Sequence, residues 1–246
     1  MTTIAQPLRG PARALLVIAQ PVLADMIRLA LGHGSYYTRL STTIEEAGAA
    51  LSDWKPHLLV LDLDIAGSNI VERLVDVTPQ GRLPVIALTR RGDLEAKLAA
   101  FERGVDDILT VPFSTEEFVA RVLALMRRTY RDAVVFTPLL RLGDLEIDIL
   151  NRRVRAGDAE LHLTALEQNL LYLLAANAGR VLTRDEILDH LWGSDYVAES
   201  NVVDRHVRNL RVKLQNHSRR PQYIATVPGQ GYRFVAMAAG AKSTRG

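Results

Sequence analysis

At 246 residues the chain is long for one domain and comfortable for two, each of roughly 100 to 130 residues and able to bury its own core. It contains no cysteine and six scattered histidines, which excludes disulfide staples and thiolate metal sites and leaves no ligand spacing for a structural metal. The formal net charge of +2 hides an imbalance: residues 1–128 carry 14 basic and 15 acidic side chains, residues 129–246 carry 16 and 13. The opening "MTTIAQPLRGPAR" lacks the apolar core of a signal peptide, and "ALLVIAQPVLADMIRLAL" is interrupted by Gln20, Pro21, Asp25 and Arg28, so neither export nor a membrane span is expected. The expected location is the cytoplasm.

In chain order, residues 1–12 read as a disordered arm. Short apolar runs then alternate with helical periods. "ALLVIA" predicts a strand, "VLADMIRLALGHG" a helix, "YYTRLS" a strand, "TIEEAGAALSDW" a helix, "HLLVLDL" a strand and "NIVERLVDV" a helix. "LPVIALT", "LEAKLAAFERG", "DDILTV" and "TEEFVARVLALMRRTY" continue the alternation. Five strands alternating with five helices over residues 13–128 describe an α/β domain with a doubly wound, five-stranded parallel sheet. Ligands of such sheets sit beyond the carboxyl ends of the strands, so Gln20, Asp62, Thr89 and Val111 should face one pocket. The first strand leads into "AQPVLADM", which has no glycine loop, and no nucleotide-binding fingerprint occurs elsewhere.

Residues 129–138 read as a polar, proline-terminated linker. From residue 139, "LLRLGDLEIDILNRRVRAGDAELHL" alternates with turn signals such as Ala156-Gly157-Asp158 and predicts short antiparallel strands. Three helices follow. "TALEQNLLYLLAANAG" starts on a Thr164/Glu167 capping box and stops at Gly179, "TRDEILDHLW" starts on a Thr183/Glu186 box, and "ESNVVDRHVRNLRVKLQN" is the third. "YIATVPGQGYRFVA" predicts a glycine-bearing hairpin. Residues 238–246 read as a disordered tail.

Residues 201–220 hold Arg205, Arg208, Arg211, Lys213, Arg219 and Arg220 against Asp204. At about 100° per residue, Val203, Val207, Leu210 and Leu214 fall on one narrow stripe that must pack inward. Asn201, Arg205, Arg208 and Val212 lie opposite, with Asn209 at the edge. An Arg/Asn face suits the major groove of duplex DNA, since Arg pairs with guanine and Asn with adenine in bidentate fashion. Two capped helices before it and a hairpin after it make a winged helix-turn-helix.

Through "LTALE", "AGRVLTRDEILDHLWG", "VVDRHVRNLRVKL" and "YIATVPGQGYRF", residues 139–237 resemble the DNA-binding domain of the OmpR/PhoB family of bacterial response regulators. The resemblance implies an α+β domain with a four-stranded platform, a third helix in the major groove and a wing at the minor groove. It places Asn201, Arg205, His206, Arg208, Asn209, Arg211 and Lys213 at helix positions that meet bases or phosphates, and Thr226, Gln230 and Arg233 on the wing. Pro228 stands where the family commonly has an arginine, and Asn209 where it often has one. The loop around Trp192, Asp195 and Tyr196 corresponds to the segment that contacts RNA polymerase in some members; otherwise it is a connector between helices.

Residues 13–128 resemble a receiver domain, of flavodoxin-like fold, through "KPHLLVLDLDIAG", "LPVIALT", "GVDDILTVPF" and "EEFVARVLALMRR". In receivers the aspartate matching Asp62 accepts a phosphoryl group with the help of Mg²⁺, an acidic pair after the first strand and a lysine after the fifth. This chain keeps Asp62, Thr89 and Pro112. The acidic pair is replaced by Ile18 and Ala19 or by Ala19 and Gln20, depending on a one-residue shift; the lysine is Val111 and the aromatic switch residue is Ile108. Mg²⁺ wants several oxygen ligands, so its binding is not expected, and Asp62 is expected to be raised in pKa, without a cation partner and bonded to Thr89. Two rescues stay open: Asp64 turning inward, and Arg90 reaching back to Asp62.

The expected function is therefore that of a sequence-specific transcription regulator rather than an enzyme, with no catalytic residues. The resemblance implies a homodimer, here expected to be independent of phosphorylation, formed through Lys97, Glu102, Asp106, Asp107, Glu117, Arg121 and Arg128, and direct-repeat DNA sites. Control would come from the protein's abundance, a partner protein or a small-molecule effector, the last suggested by an apolar pocket lined by Ile18, Ala19 and Val111. The alternative is a conventional two-component switch phosphorylated on Asp62 by a histidine kinase.

Overall fold

The computed structural model describes residues 12–32, 36–66, 83–90, 94–130, 139–193, 196, 201–214 and 223–235. The chain divides into two units, Met1–Thr137 and Pro138–Gly246. The helix expected over 69–77, residues 1–11, the tail and Asp195 lie outside the described residues.

The first unit runs β1 (Ala12–Val17), α1 (Pro21–Gly32), β2 (Tyr36–Ser41), α2 (Ile44–Trp54), β3 (Leu58–Asp62), α3 (Leu63–Ala66), β4 (Val85–Thr89), α4 (Leu94–Glu102), β5 (Asp107–Thr110) and α5 (Thr115–Tyr130). Its sheet has the order β2-β1-β3-β4-β5, all parallel. Every residue of β3 and β4 is buried, which is why "LLVL" and "VIAL" are unbroken apolar runs: both faces of a parallel sheet are covered by helices. Thr43 caps α2 by accepting from the Glu46 amide, with Glu45 and Glu46 in the first turn. Helix α5 carries Glu116 and Glu117 in its first turn and Arg127 and Arg128 in its last, matching the helix dipole, and buries Phe118, Val119, Val122, Leu125 and Met126.

Three boundaries differ from expectation. Ala12 already pairs with Tyr36, so β1 starts one residue before the expected domain boundary. Helix α5 ends at Tyr130 as its pattern predicts, and the Tyr130 hydroxyl donates to the His57 carbonyl at 3.0 Å, so residues 129–130 belong to the first unit and not to a linker. Strand β3 stops at Asp62, and a single helical turn begins at Leu63.

The second unit opens with a four-stranded antiparallel sheet, β6 (Leu139–Leu142), β7 (Leu145–Asp148), β8 (Arg153–Ala156) and β9 (Ala159–Leu161). Helices α6 (Ala165–Ala176), α7 (Arg184–Trp192) and α8 (Val202–Leu214) follow, and β11 (Ile224–Val227) and β12 (Gly231–Phe234) form the hairpin. Both capping boxes are present, at Thr164/Glu167 and Thr183/Glu186. Helix α6 ends at Ala176 with Asn177 as cap, before the expected Gly179; Gly179 sits at φ +85° two residues on and donates its amide to the Phe234 carbonyl. Sequence reading missed β10 (Val181–Thr183), which joins β12 to give the order β10-β12-β11. Three residues are too few to show an alternation.

Candidate functional site

Helix α8 sorts its residues as its pattern requires: Val202, Val203, Val207, Leu210 and Leu214 are buried, while Arg205, Arg208, Asn209 and Val212 are exposed. Asn201 is exposed but precedes the helix, and its carbonyl accepts from the Arg205 amide at 3.0 Å. On the wing, Thr226, Gln230 and Arg233 are exposed. The Gln230 amide donates to the Val227 carbonyl at 3.0 Å, closing a turn in which Gly229 adopts φ +72°.

Two basic residues expected on DNA are instead committed within the domain. The Arg211 guanidinium donates to the Ile224 carbonyl at 3.0 Å and to the Thr226 hydroxyl at 2.8 Å, and lies 5.4 Å from the Tyr232 ring centre. It straps α8 to the wing. Lys213 donates to the Glu167 carboxylate at 2.6 Å, tying α8 to α6. Burial alone would raise the Glu167 carboxyl, but Lys213 and Thr164 draw it below the ordinary range. A helix pattern reveals which face is polar, but not that a neighbouring strand or helix already supplies acceptors.

His206 is half-buried with its ring 5.3 Å from that of Trp192, and burial followed by Arg205 holds its imidazole below the ordinary histidine range, favouring the neutral form. This is a packing contact to the end of α7. Trp192 also stacks on Tyr196 at 6.1 Å, so two of the three loop residues singled out share an aromatic group with α8.

A network that sequence reading missed ties these elements together. Asp204 accepts from the Tyr232 hydroxyl at 2.6 Å and from Arg184 at 2.8 Å, and the Arg184 guanidinium lies 5.1 Å from the Tyr232 ring centre. The Tyr232 hydrogen bond, with Arg184, draws the Asp204 carboxyl below its ordinary range. Replacing Asp204 by alanine removes the acceptor of the buried Tyr232 hydroxyl while the half-exposed Arg184 turns to water, and is expected to cost about 1 kcal/mol. A lowered thermal midpoint of the second unit checks it, with Asp204→Asn intermediate.

In the first unit, Asp62 ends β3, Thr89 ends β4 and Gln20 follows β1, which brings all three to the carboxyl edge of the sheet. The Val111 amide bonds the Thr89 carbonyl at 2.8 Å, so Val111 lies beside them. Because β3 stops at Asp62, the next turn brings Asp64 back: its amide donates to the Asp62 carboxylate at 3.1 Å and its carboxylate accepts from the Thr89 hydroxyl at 3.4 Å. Arg90 completes the group. Its backbone amide donates to Asp64 at 2.9 Å, and its guanidinium stands 3.4 Å from Asp64 and 3.7 Å from Asp62 and donates to the Gln20 side-chain oxygen.

Two expectations are corrected by this geometry. Asp62 does have a cation partner, Arg90. The edge is also not an apolar cleft: Ile18 is buried, Ala19 is exposed, and the polar side chains of Gln20, Asp64 and Arg90 converge on the 3 % exposed Asp62. Burial still pushes the Asp62 carboxyl up, opposed by the Asp64 amide and by Arg90. Ile108 packs as a half-buried apolar residue against the core beneath the sheet.

On the face of α4, β5 and α5, several charges expected to pair between subunits pair within the chain. Arg121 bonds Asp107 at 2.9 Å and Glu117 at 2.8 Å, Lys97 donates to the Thr110 hydroxyl at 2.9 Å, and Asp106 accepts the Val85 amide at 2.8 Å. Glu102 and Arg128 are exposed. The same face carries an apolar stripe that the charge reading passed over: Leu94, Leu98 and Phe101, at 70, 53 and 46 % exposure, recur one helical turn apart on α4.

Residues 15–123 match the response regulator receiver domain family, and residues 158–234 match the family described as transcriptional regulatory protein, C terminal. The chain is 32 % identical over 221 residues to the KDP operon transcriptional regulatory protein KdpE of Escherichia coli K12, covering 90 % of this chain and 98 % of that one. It is 33 % identical to the DNA-binding response regulator MtrA of Mycolicibacterium smegmatis, covering 90 and 96 %. Identity to the phosphate regulon transcriptional regulatory protein PhoB of Rhizobium meliloti is 39 % over 191 residues, covering 76 and 83 %.

Proposed function

The chain belongs to the OmpR/PhoB family of response regulators and is a DNA-binding transcription regulator, not an enzyme, and from that premise we propose that it dimerises through its receiver without phosphorylation. The observation that carries this reading is Arg90, which sets a fixed positive charge against Asp62 and Asp64 where the receiver resemblance implies a metal and an acidic pair. A carboxylate whose charge is already met has less need of a phosphoryl group or an ion to change its surroundings.

The surface for a second copy is the α4 stripe of Leu94, Leu98 and Phe101, flanked by the Arg121 ion pairs. Exposed ion pairs contribute little to affinity, so the apolar side chains supply most of it and the charges set the register. Two α8 helices in one dimer then reach two half-sites about 10 to 11 base pairs apart. The protein acts in the cytoplasm, where Trp192 and Tyr196 provide an aromatic contact for RNA polymerase beside the bound DNA. Among the described residues no helix is long and apolar enough to cross a membrane.

Light scattering on the full chain tests this. The expected mass is that of a dimer with and without beryllofluoride and Mg²⁺, unchanged in Asp62→Ala and halved in Leu98→Asp. The inward turn of Asp64 favours a second reading, a phosphorylation switch rebuilt on two carboxylates. A monomer that dimerises only with beryllofluoride and Mg²⁺, and only when Asp62 is intact, would establish that reading and overturn the first.

A further inference from the structure

A Mg²⁺ site needs several oxygen ligands in near-octahedral order at about 2.1 Å. The residues at the carboxyl edge of this receiver do not fit one. The segment after β1 offers Ile18, Ala19 and Gln20, with no carboxylate, and the two carboxylates that remain, Asp62 and Asp64, both face the Arg90 guanidinium. Among the described residues no group of three or more histidine, aspartate or glutamate side chains could hold a metal ion.

We propose that Arg90 is a tethered cation that takes the metal's place: its guanidinium neutralises Asp62 and Asp64, excludes divalent ions and clasps the carboxyl ends of β1, β3 and β4 together. Three features fit the role. Arg90 follows β4 directly, and its main-chain amide and its guanidinium both engage Asp64, so the residue is anchored at both ends of its side chain. The planar fork of donors lets one guanidinium meet Gln20 after β1 together with Asp62 at the end of β3 and Asp64 in the turn after it, which a point charge on a lysine stem would not span in the same way. The pairing is half-buried against a buried Asp62, where a charge left unmatched is costly, so the acidic pair and the arginine require each other. A divalent ion entering this space would meet a like charge within the same few ångströms.

The inference rests on the phosphorylation-independent reading and names the element that replaces its switch. Its test is the binding of Mn²⁺, a paramagnetic stand-in for Mg²⁺, to the full chain, measured from the free-ion electron paramagnetic resonance signal. Wild type is expected to show no saturable site through the millimolar range. Arg90→Ala should gain one saturable site within that range, as expected when two carboxylates become available to a hard cation. Adding Asp62→Asn to that variant should remove the site. Arg90→Gln, which keeps a long polar side chain without the charge, should show the same gain and serves if the alanine variant does not fold. A wild-type site as tight as that of Arg90→Ala, or no gain in a folded Arg90 variant, overturns the proposal.

Light scattering on the same samples separates the two claims. A wild-type dimer whose Arg90 variants gain no Mn²⁺ would lose the tethered cation and keep the reading. A wild-type monomer that excludes Mn²⁺ but gains a site in Arg90→Ala would keep the tethered cation and lose the reading.

Discussion

Gly231→Ala is expected to unfold the wing and take most DNA binding with it. Gly231 opens β12 opposite both Thr183 of β10 and Val227 of β11, at φ +156°. A Cβ there would sit 2.0 Å from the Leu182 carbonyl oxygen and 2.9 Å from its carbon, both backbone atoms that no rotamer change can move. The only relief is to part β10 from β12, which loses ladder hydrogen bonds and disturbs Leu182, Tyr232 and Phe234, all buried. A cost of about 3 kcal/mol or more follows, at the severe end for one methyl group. Thermal unfolding of the full chain should show the second unit's transition lowered by many degrees and the first unit's unchanged. Gly229, at φ +72° with open space around its would-be Cβ, should lose far less on the same substitution, because strain in one turn residue is its sole penalty.

Arg208→Ala is expected to weaken binding to the preferred operator by about 10- to 100-fold, the roughly 1 to 3 kcal/mol of one bidentate base contact, and to relax the preference at a single base position. Arg208 is exposed on α8 one residue from exposed Asn209, on the face opposite the buried Val203, Val207 and Leu210. Sites selected from random duplexes, followed by titration of single-base variants, read this out. A uniform loss across all sequences, with the salt dependence of binding reduced by about one ion, would make Arg208 a phosphate neutraliser instead. Arg211→Ala should behave differently from both. Its guanidinium bonds the wing and packs on Tyr232, so its removal should lower the thermal midpoint as well as the affinity.

The contrast between Arg208 and Arg211 marks the limit of sequence reading. Helical periodicity puts Arg208 opposite the apolar stripe and Arg211 at its flank, and the family resemblance alone gave both a place on DNA. Only the placement of β11 beside α8 gives Arg211 a carbonyl and a hydroxyl to bond, and only α6 gives Lys213 the Glu167 carboxylate. Asp204 shows the same limit from the other side, since the lone acid in a basic stretch proved to be the acceptor for Arg184 and Tyr232. The capping boxes were legible because a cap is a contact across three residues. The pocket was half legible: the sequence left an inward turn of Asp64 and a reach of Arg90 back to Asp62 open, and only the stop of β3 at Asp62 and its place beside β4 decide both.

The amino-acid order alone determined what depends on near neighbours: the buried strands β1, β3 and β4 from their apolar runs, the helix starts from their caps, and the polar face of α8. These follow from local periodicity and residue chemistry, which act over a few residues. The tertiary structure decided which charges are already matched. Arg90 reaches Gln20 across 70 positions of chain and Asp64 across 26, and Arg211 meets Thr226 across 15. Long-range pairs of this kind are set by strand order and helix packing, and a buried or half-buried charge takes its partner from whatever those bring within reach.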